Sequence, residues 1–281
     1  MKYVKLKNGV EMPMVGFGTF MLRENCTEHV LRALKQGYRL VDTAASYFNE
    51  EDVGRAIKQS GVPRDELFIT TKLWIQDAGY DNTLKAFDVS LKNLGLEYLD
   101  LYLIHQPYGD YYGSWRAMEK LMKEGYIRAI GVSNFSAERI VDLSLNTDTP
   151  PMIDQIEIHP YFAQRDAVAD MKKYGCLPQA WGPFCEGQKD IFNDPILTRI
   201  AQSHGKTTAQ IALKWNLQHG VAVIPRSTCE EHRTEDISLD DFTLADDEMQ
   251  LIDTLDQGHS EIIDHRCAHT ARKLINCKIH K

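Results

Sequence analysis

Short apolar runs alternate along this chain with segments whose apolar positions recur at helical spacing, and that alternation predicts the architecture. The first run, Met14 to Phe20, precedes a helix over Thr27–Gln36, and Arg39 to Asp42 precedes one over Glu50–Ser60. Leu67 to Lys72 leads into Asn82–Leu94, and Leu99 to His105 into Ser114–Lys123. Ile127 to Ser133 is followed by Glu138–Leu145, and Ile153 to Ile158 by Asp166–Lys173. Leu177 to Trp181 leads into Pro195–His204 or Thr207–Gln218. Val221 to Pro225 closes the series, with helices over Glu230–Glu235 and Asp246–Leu255.

Eight strand–helix units predict parallel strands closed into an α/β (β/α)8 TIM barrel, and 281 residues suit that fold. The run Leu99-Asp100-Leu101-Tyr102-Leu103-Ile104 is too apolar for a sheet wet on one side and predicts burial on both faces. Gly37, Gly61, Gly95, Gly125, Gly175 and Gly220 stand where helices should end. Ahead of the first unit, Val4-Lys5-Leu6 and Val10-Glu11-Met12 flank Asn8-Gly9. This predicts an N-terminal β-hairpin within residues 1–13, with both turn residues at positive φ. No linker-like stretch divides the chain, so one domain spanning 1–281 is expected, its tail beginning near residue 257. A doubly wound dinucleotide fold is the rival. Gly16-Phe17-Gly18-Thr19-Phe20-Met21 has the first two glycines of its fingerprint and lacks the third.

A formal charge of −8 argues against a nucleic-acid binder, so any anionic ligand needs a local cationic cluster. No apolar run reaches the length of a membrane span, and the first residues lack a signal-peptide pattern. Six cysteines without C-x-x-C spacing fit reduced thiols and a cytoplasmic location. The tail's His265, Cys267, His269, Cys277 and His280 match no structural zinc spacing, and no metal site is expected.

Asp42, Lys72 and His105 end three successive runs, and Tyr47 follows the second. In a barrel, the C-terminal strand ends share one face, where active sites lie. A free tyrosine titrates near pH ~10, too high for an efficient acid at neutrality, and a nearby ammonium lowers that value. Lys72 suits that role, Asp42 would keep it charged, and His105 would orient a carbonyl or assist proton transfer. A Schiff-base aldolase is the other enzyme that Lys72 allows, although its amine must be neutral and Asp42 opposes that. Taken singly, each residue has an ordinary structural explanation; the shared topological position makes the set informative.

The chain resembles the aldo-keto reductase family over nearly its whole length, most like bacterial members with short substrate loops. The resemblance rests on Gly16-Phe17-Gly18-Thr19-Phe20 and on Asp42-Thr43-Ala44 through Tyr47, Asn49-Glu50 and Val53-Gly54. It continues in Phe68-Ile69-Thr70-Thr71-Lys72, Leu101-Tyr102-Leu103-Ile104-His105, Gly131-Val132-Ser133-Asn134-Phe135 and Ile224-Pro225-Arg226-Ser227. What it implies is hydride transfer from a nicotinamide to an aldehyde or ketone, with Tyr47 as general acid, Lys72 and Asp42 tuning it, and His105 orienting the carbonyl. It also implies a carboxamide held by Ser133, Asn134 and Gln155 and a ring stacked on Trp181, with Gly18, Thr19, Asp42, Gly182 and Pro183 lining the cofactor. Arg226, Ser227, His232, Glu235 and Asp236 fall at the adenosine end. His232 and Asp236 depart from the usual NADPH pattern, so NADP(H) is favoured with NAD(H) or dual use left open. Arg233, one residue past the family's arginine, is expected to point elsewhere. Phe20, Tyr47, Trp74, His105 and Gln106, with Tyr108 beside them, would line an apolar pocket for a small or medium carbonyl substrate. The tail would fold over that pocket, and a monomer or weak homodimer is expected. A non-catalytic nicotinamide-binding barrel is the non-enzyme alternative.

Overall fold

The computed structural model describes residues 2–281, and Met1, the first residue of the expected hairpin segment, lies outside them. Strands β1 (Tyr3–Lys5) and β2 (Glu11–Pro13) pair antiparallel, with Val4 opposite Met12. Their turn differs from the expectation. Only Gly9 has positive φ (86°); its N–H donates to Leu6 O at 2.8 Å, and Leu6 N–H donates to Val10 O at 2.9 Å. This is a three-residue connection closed by a left-handed glycine. Asn8 instead spends its amide on Arg128 O at 2.8 Å, tying the hairpin to the barrel.

The eight parallel strands are β3 (Gly16–Gly18), β4 (Leu40–Asp42), β5 (Phe68–Leu73), β6 (Leu99–Ile104), β7 (Ile127–Ser133), β8 (Ile153–Glu157), β9 (Leu177–Trp181) and β10 (Ala222–Val223). They pair in chain order, and a parallel bridge between Val15 and Val223 closes the ring. This excludes the doubly wound rival. Strands β3 and β10, which meet at the closure, are shorter than their apolar runs. The chain leaves the ladder there: Val223 N–H donates to Met14 O (2.9 Å) and Gly18 N–H to Pro225 O (3.0 Å). A Cβ on Gly18 would lie 2.8 Å from Ile224 O, so this approach requires glycine.

Between the strands run α1 (Cys26–Lys35), α2 (Glu50–Ser60), α3 (Tyr80–Leu94), α4 (Tyr111–Lys123), α5 (Ala137–Leu145) and α6 (Arg165–Lys173). After β9 the two candidate helices both form, as α7 (Pro195–His204) and α8 (Thr208–Gln218). Thr207 and Gln210 start α8 with a reciprocal capping box. Helices α9 (Glu230–Ile237) and α10 (Asp246–Asp253) follow, and the tail carries a helix the pattern did not reveal, α11 (Ala268–Asn276).

Strand alternation divides the core in two. Leu40, Phe68, Leu101, Leu103, Ala129, Ile153 and Ala222 fill the barrel lumen, and Leu6 and Met12 of the hairpin close its lower end. Val41, Ile69, Tyr102, Ile104, Ile130 and Val132 face the helices. Because side chains alternate with period two, Asp42 shares the lumen parity of Leu40. Lys72 shares that of Phe68, His105 that of Leu103, Ser133 that of Ala129, Gln155 that of Ile153, and Trp181 that of Leu177. The lower lumen is apolar, and its upper end is polar.

Asp100, Thr71 and Asp154 are buried polar side chains on the other parity. Asp154 on β8 is fully buried, and burial, only partly offset by the Phe135 backbone N–H, raises its pKa well above the carboxylate range. A raised acid pKa contributes stability below the unfolded value near 3.9 that is lost as pH rises toward the folded value. Asp154→Asn should therefore gain stability over the parent progressively from pH 5 to pH 9. Thermal melts across that range check it; a gap independent of pH counts against a neutral Asp154.

Candidate active site

Strand β4 ends at Asp42 and β5 carries Lys72 one residue before its end, so two lumen-facing side chains of neighbouring strands meet. The Lys72 ammonium, fully buried, donates to Asp42 Oδ1 in a direct ion pair, to Thr43 O at 2.9 Å and to the Tyr47 hydroxyl at 3.3 Å. All three of its protons are used. Asp42 Oδ2 accepts from Gln155 Nε2 at 2.7 Å, and the same amide donates to Gln179 Oε1 at 2.8 Å. Tyr47 lies on the short 3-10 turn Ala45–Tyr47 after β4, and Lys72 Nζ stands 4.8 Å from its ring centroid.

Burial raises Asp42. Burial alone would lower Lys72, but the Asp42 charge and hydrogen bond outweigh it and hold the ammonium above its ordinary value. For Tyr47, burial outweighs Lys72, so the phenol is raised rather than lowered. Lys72 limits the rise without reversing it. His105 is pushed well below its ordinary value by burial, then by the Lys72 and His265 charges, and is neutral at pH 7. Its Nδ1 lies 3.3 Å from Ser46 Oγ, its ring 5.6 Å from that of Tyr47 and 5.3 Å from that of Trp74. Phe20 packs on the outer side of Tyr47 at 5.1 Å and is half-exposed. Gln106 is buried with Oε1 unpartnered.

The other expected residues divide into three groups. Ser133, Asn134, Gln155 and Trp181 gather beside this centre. Ser133 Oγ donates to Gln155 O (2.7 Å), Asn134 Nδ2 to His105 O (3.0 Å), and Trp181 Nε1 to Asn134 Oδ1 (2.9 Å). Asn134 is held at φ 64°, left-handed, to make these contacts. Thr19 is buried with its hydroxyl bonded to Asp42 O at 3.0 Å, so that group serves the fold, and Gly18 beside it forms the barrel closure. Gly182, at φ 59°, and Pro183 begin the loop after β9. Arg226, Ser227, His232, Glu235 and Asp236 lie apart from this centre, after β10 and on α9. Arg226 and His232 are exposed there, and Asp236 is buried. Burial, then Glu235, raises Asp236 to about 7. Arg233 is buried and turned inward, donating to Gln36 Oε1 at 2.6 Å and Ser227 O at 3.2 Å.

Ser46 and Gln179, which no sequence signal singled out, support the centre through their side chains. Thr43 and Asn49, which the sequence marks only as parts of a motif, support it through carbonyl and side chain. Asn49 accepts from Thr43 Oγ1 at 2.7 Å and donates to Thr19 O at 2.9 Å, joining the loops after β3 and β4. The tail covers this end of the barrel. Tyr108 OH donates to His265 O at 2.5 Å, and the His265 ring lies 6.3 Å from that of Trp181. A cavity of about 650 Å³ opens beneath it, lined by Tyr108, Asn134, Arg139, Glu157 and His265 among others. The tail's histidines are dispersed. Among the described residues, no group of three His, Cys, Asp or Glu side chains is placed to hold a metal ion. Cys185 is buried, and burial raises its thiol to about 12; His159 is buried against Glu157 Oε1 at 3.0 Å.

The profile of the Aldo/keto reductase family matches residues 14–257. The chain belongs to that family. It is 48% identical over 257 residues to a glyoxal reductase of Bacillus subtilis, covering 90% of this chain and 92% of that protein. It is 43% identical over 270 residues to a morphine 6-dehydrogenase of Pseudomonas putida, covering 91% of each. Among solved structures, an aldo-keto reductase from a Medee basin deep-sea metagenome library superposes with a TM-score of 0.90 at 42% identity, over 93% of this chain and 99% of that one. A Bombyx mori aldo-keto reductase in complex with NADP superposes at 0.89 and 36% identity, over 94% and 95%. This aldo-keto reductase is thus a nicotinamide-dependent oxidoreductase of carbonyl compounds. No helix of the described residues is long and apolar enough to cross a membrane.

The buried pair sets a stability test. Removing one partner leaves an uncompensated charge in a dry site, so Lys72→Met should cost about 3–5 kcal/mol in urea unfolding. Adding Asp42→Leu should recover most of that loss; an additive second loss would mean the pair is not the unit.

Proposed function

We propose that this enzyme reversibly reduces aldehydes or ketones to alcohols, with Tyr47 as the proton donor. The observation that carries the reading is the contact of the Tyr47 hydroxyl with Lys72 Nζ, 3.3 Å apart, on an ammonium already paired with Asp42. When bound, the reduced nicotinamide supplies the hydride to the carbonyl carbon. Tyr47 gives its proton to the carbonyl oxygen, and the phenolate left behind is stabilised by the Lys72 ammonium beside it. The raised resting pKa suits this: Tyr47 holds its proton until the oxygen acquires charge, and Lys72 acts on the anion. Neutral His105 supports the orienting role. In the tautomer where Ser46 Oγ donates to Nδ1, Nε2 carries the proton and is a donor for the carbonyl oxygen. A paired Lys72 ammonium also argues against an aldolase, which needs the free amine.

The donor set fits a nicotinamide. Gln155 uses both amide protons on Asp42 and Gln179, which leaves Oε1 to accept from a carboxamide. Ser133 and Asn134 stand beside it, and Trp181 offers a flat partner for the ring. Gly18, Thr19, Gly182 and Pro183 would flank the ribose and diphosphate. Arg226 and Ser227 would take a 2′-phosphate, with His232, Glu235 and Asp236 around the adenosine. NADP(H) is favoured because Arg226 is exposed and a guanidinium can bind a phosphate bidentately, while Asp236 leaves room for NAD(H). Phe20, Trp74 and Gln106 make an apolar pocket with one amide, suited to a small or medium carbonyl, and glyoxal, named by the Bacillus relative, heads the test panel. Six unpaired thiols support a cytoplasmic setting, and a monomer or weak homodimer is the expected state.

Tyr47→Phe should cut carbonyl reduction by at least ~100-fold, the lower range for a lost general acid, while NADPH still binds. Stopped-flow turnover and fluorescence titration measure the two, and retained turnover removes Tyr47 from the role. Asp236 gives a pH test. It is anionic above about 7 and neutral below, so the preference for NADPH over NADH should strengthen from pH 8 to pH 6. Asp236→Asn should flatten that change in the kcat/KM ratio, and a strong NADH preference at every pH would overturn the NADPH assignment.

A further inference from the structure

Trp74 follows the strand that carries Lys72, and its ring stands edge-on to His105 at 5.3 Å. The side chain is nearly buried, so its indole N–H needs a partner inside the protein. That partner is Cys277 O, at 2.8 Å, from the far end of the chain. Gln76 and Asp77, two and three residues further on, hold the same segment. Gln76 Oε1 accepts from Ile279 N–H at 2.9 Å, and Gln76 Nε2 donates to His280 O at 2.9 Å. His280 Nε2 meets both oxygens of Asp77, at 2.9 and 3.0 Å. One four-residue stretch, Trp74 to Asp77, thus grips one four-residue stretch, Cys277 to His280. The gripping segment lies inside the family match, which ends at residue 257, and the gripped one lies beyond it.

We infer that residues 277–280 form a clasp that positions Trp74 against His105, so that the chain's last residues set one wall of the carbonyl pocket. Opening the clasp would strand a buried indole donor, and Trp74 would leave its place to find water. The inference rests on the carbonyl-reductase reading for its kinetic arm alone. The ionic member adds a pH dependence. The hydrogen bond to Asp77 raises His280, while Lys278 on the tail opposes that rise and Lys281 adjoins it. A raised histidine pKa means the charged bond is complete below the ordinary value of 6.5 and is lost as pH climbs through the folded value.

The test uses the full enzyme, a chain ending at Asn276, and full-length His280→Ala and Asp77→Asn, each also made with Trp74→Phe so that the Trp74 share of indole emission is obtained by difference. Ending the chain at Asn276 should shift that share to longer wavelength. It should also raise the KM for glyoxal roughly tenfold, the scale of one lost buried hydrogen bond, with kcat and the NADPH dissociation constant little changed. The full-length substitutions should give smaller changes in the same direction, and His280→Ala should abolish the rise of KM from pH 6 to pH 8.5. Unchanged Trp74 emission in the shortened chain overturns the clasp, and so does a KM rise without an emission shift, since the tail then touches substrate directly. If the shortened chain fails to fold by circular dichroism, the two full-length substitutions decide by the same criteria. Should no carbonyl be turned over, the emission difference alone decides the clasp, so its failure is separable from that of the reductase reading.

Discussion

An ammonium with no access to water must have every proton accepted and its charge matched, and the upper barrel is arranged around that requirement for Lys72. Asp42 matches the charge, Thr43 accepts a second proton and Tyr47 accepts the third. The need then passes outward. Gln155 satisfies the second carboxylate oxygen, Gln179 holds Gln155, and Ser133 caps the Gln155 carbonyl. Strands β4, β5, β7, β8 and β9 are thereby linked at their upper ends by side chains as well as by their ladders. A missing partner in such a network leaves a charge or donor buried, and here the one open end is Gln179 Nε2, at the edge farthest from the charged pair.

The same network divides the barrel into a stable part and a reactive part. Below it, Leu40, Phe68, Leu101, Leu103 and Ile153 pack a dry lumen. Above it, Phe20 and His105 pack on the Tyr47 ring and Trp74 packs on His105, and the burial of this cluster strengthens each remaining electrostatic contact. Dryness serves opposite ends for the two titratable groups. It keeps His105 neutral, and it keeps Tyr47 protonated despite the cation beside it.

How much was legible depended on the kind of signal. The barrel came from strand–helix alternation, which needs only local periodicity, and the two surplus helices after β9 fell within the same pattern. Asp42, Lys72 and His105 were legible because a polar residue ending an apolar run points into the lumen by parity. Ser46 and Gln179 carry no such mark, since a serine in a turn and a glutamine in a strand have many ordinary uses. Helix α11 was missed for a local reason: Cys267 stands at its N-cap without a side-chain cap bond, and only Thr270 is buried along it. The hairpin was anticipated, but its turn was not, because Asn8 had a barrel carbonyl to bond and Gly9 alone needed the left-handed region.

By itself the sequence determined the period of the elements, the parity that sends the polar strand ends into one lumen, and the identity of the groups gathered there. Only the tertiary structure decided their state. The direction of a pKa shift depends on how much water the neighbours remove, and no spacing records that, so an ammonium expected to lower Tyr47 is overruled by burial. Only the tertiary structure, too, could bring Cys277 and His280 to Trp74 and Asp77. Contacts across some 200 residues are chosen by how the tail packs after the barrel has formed.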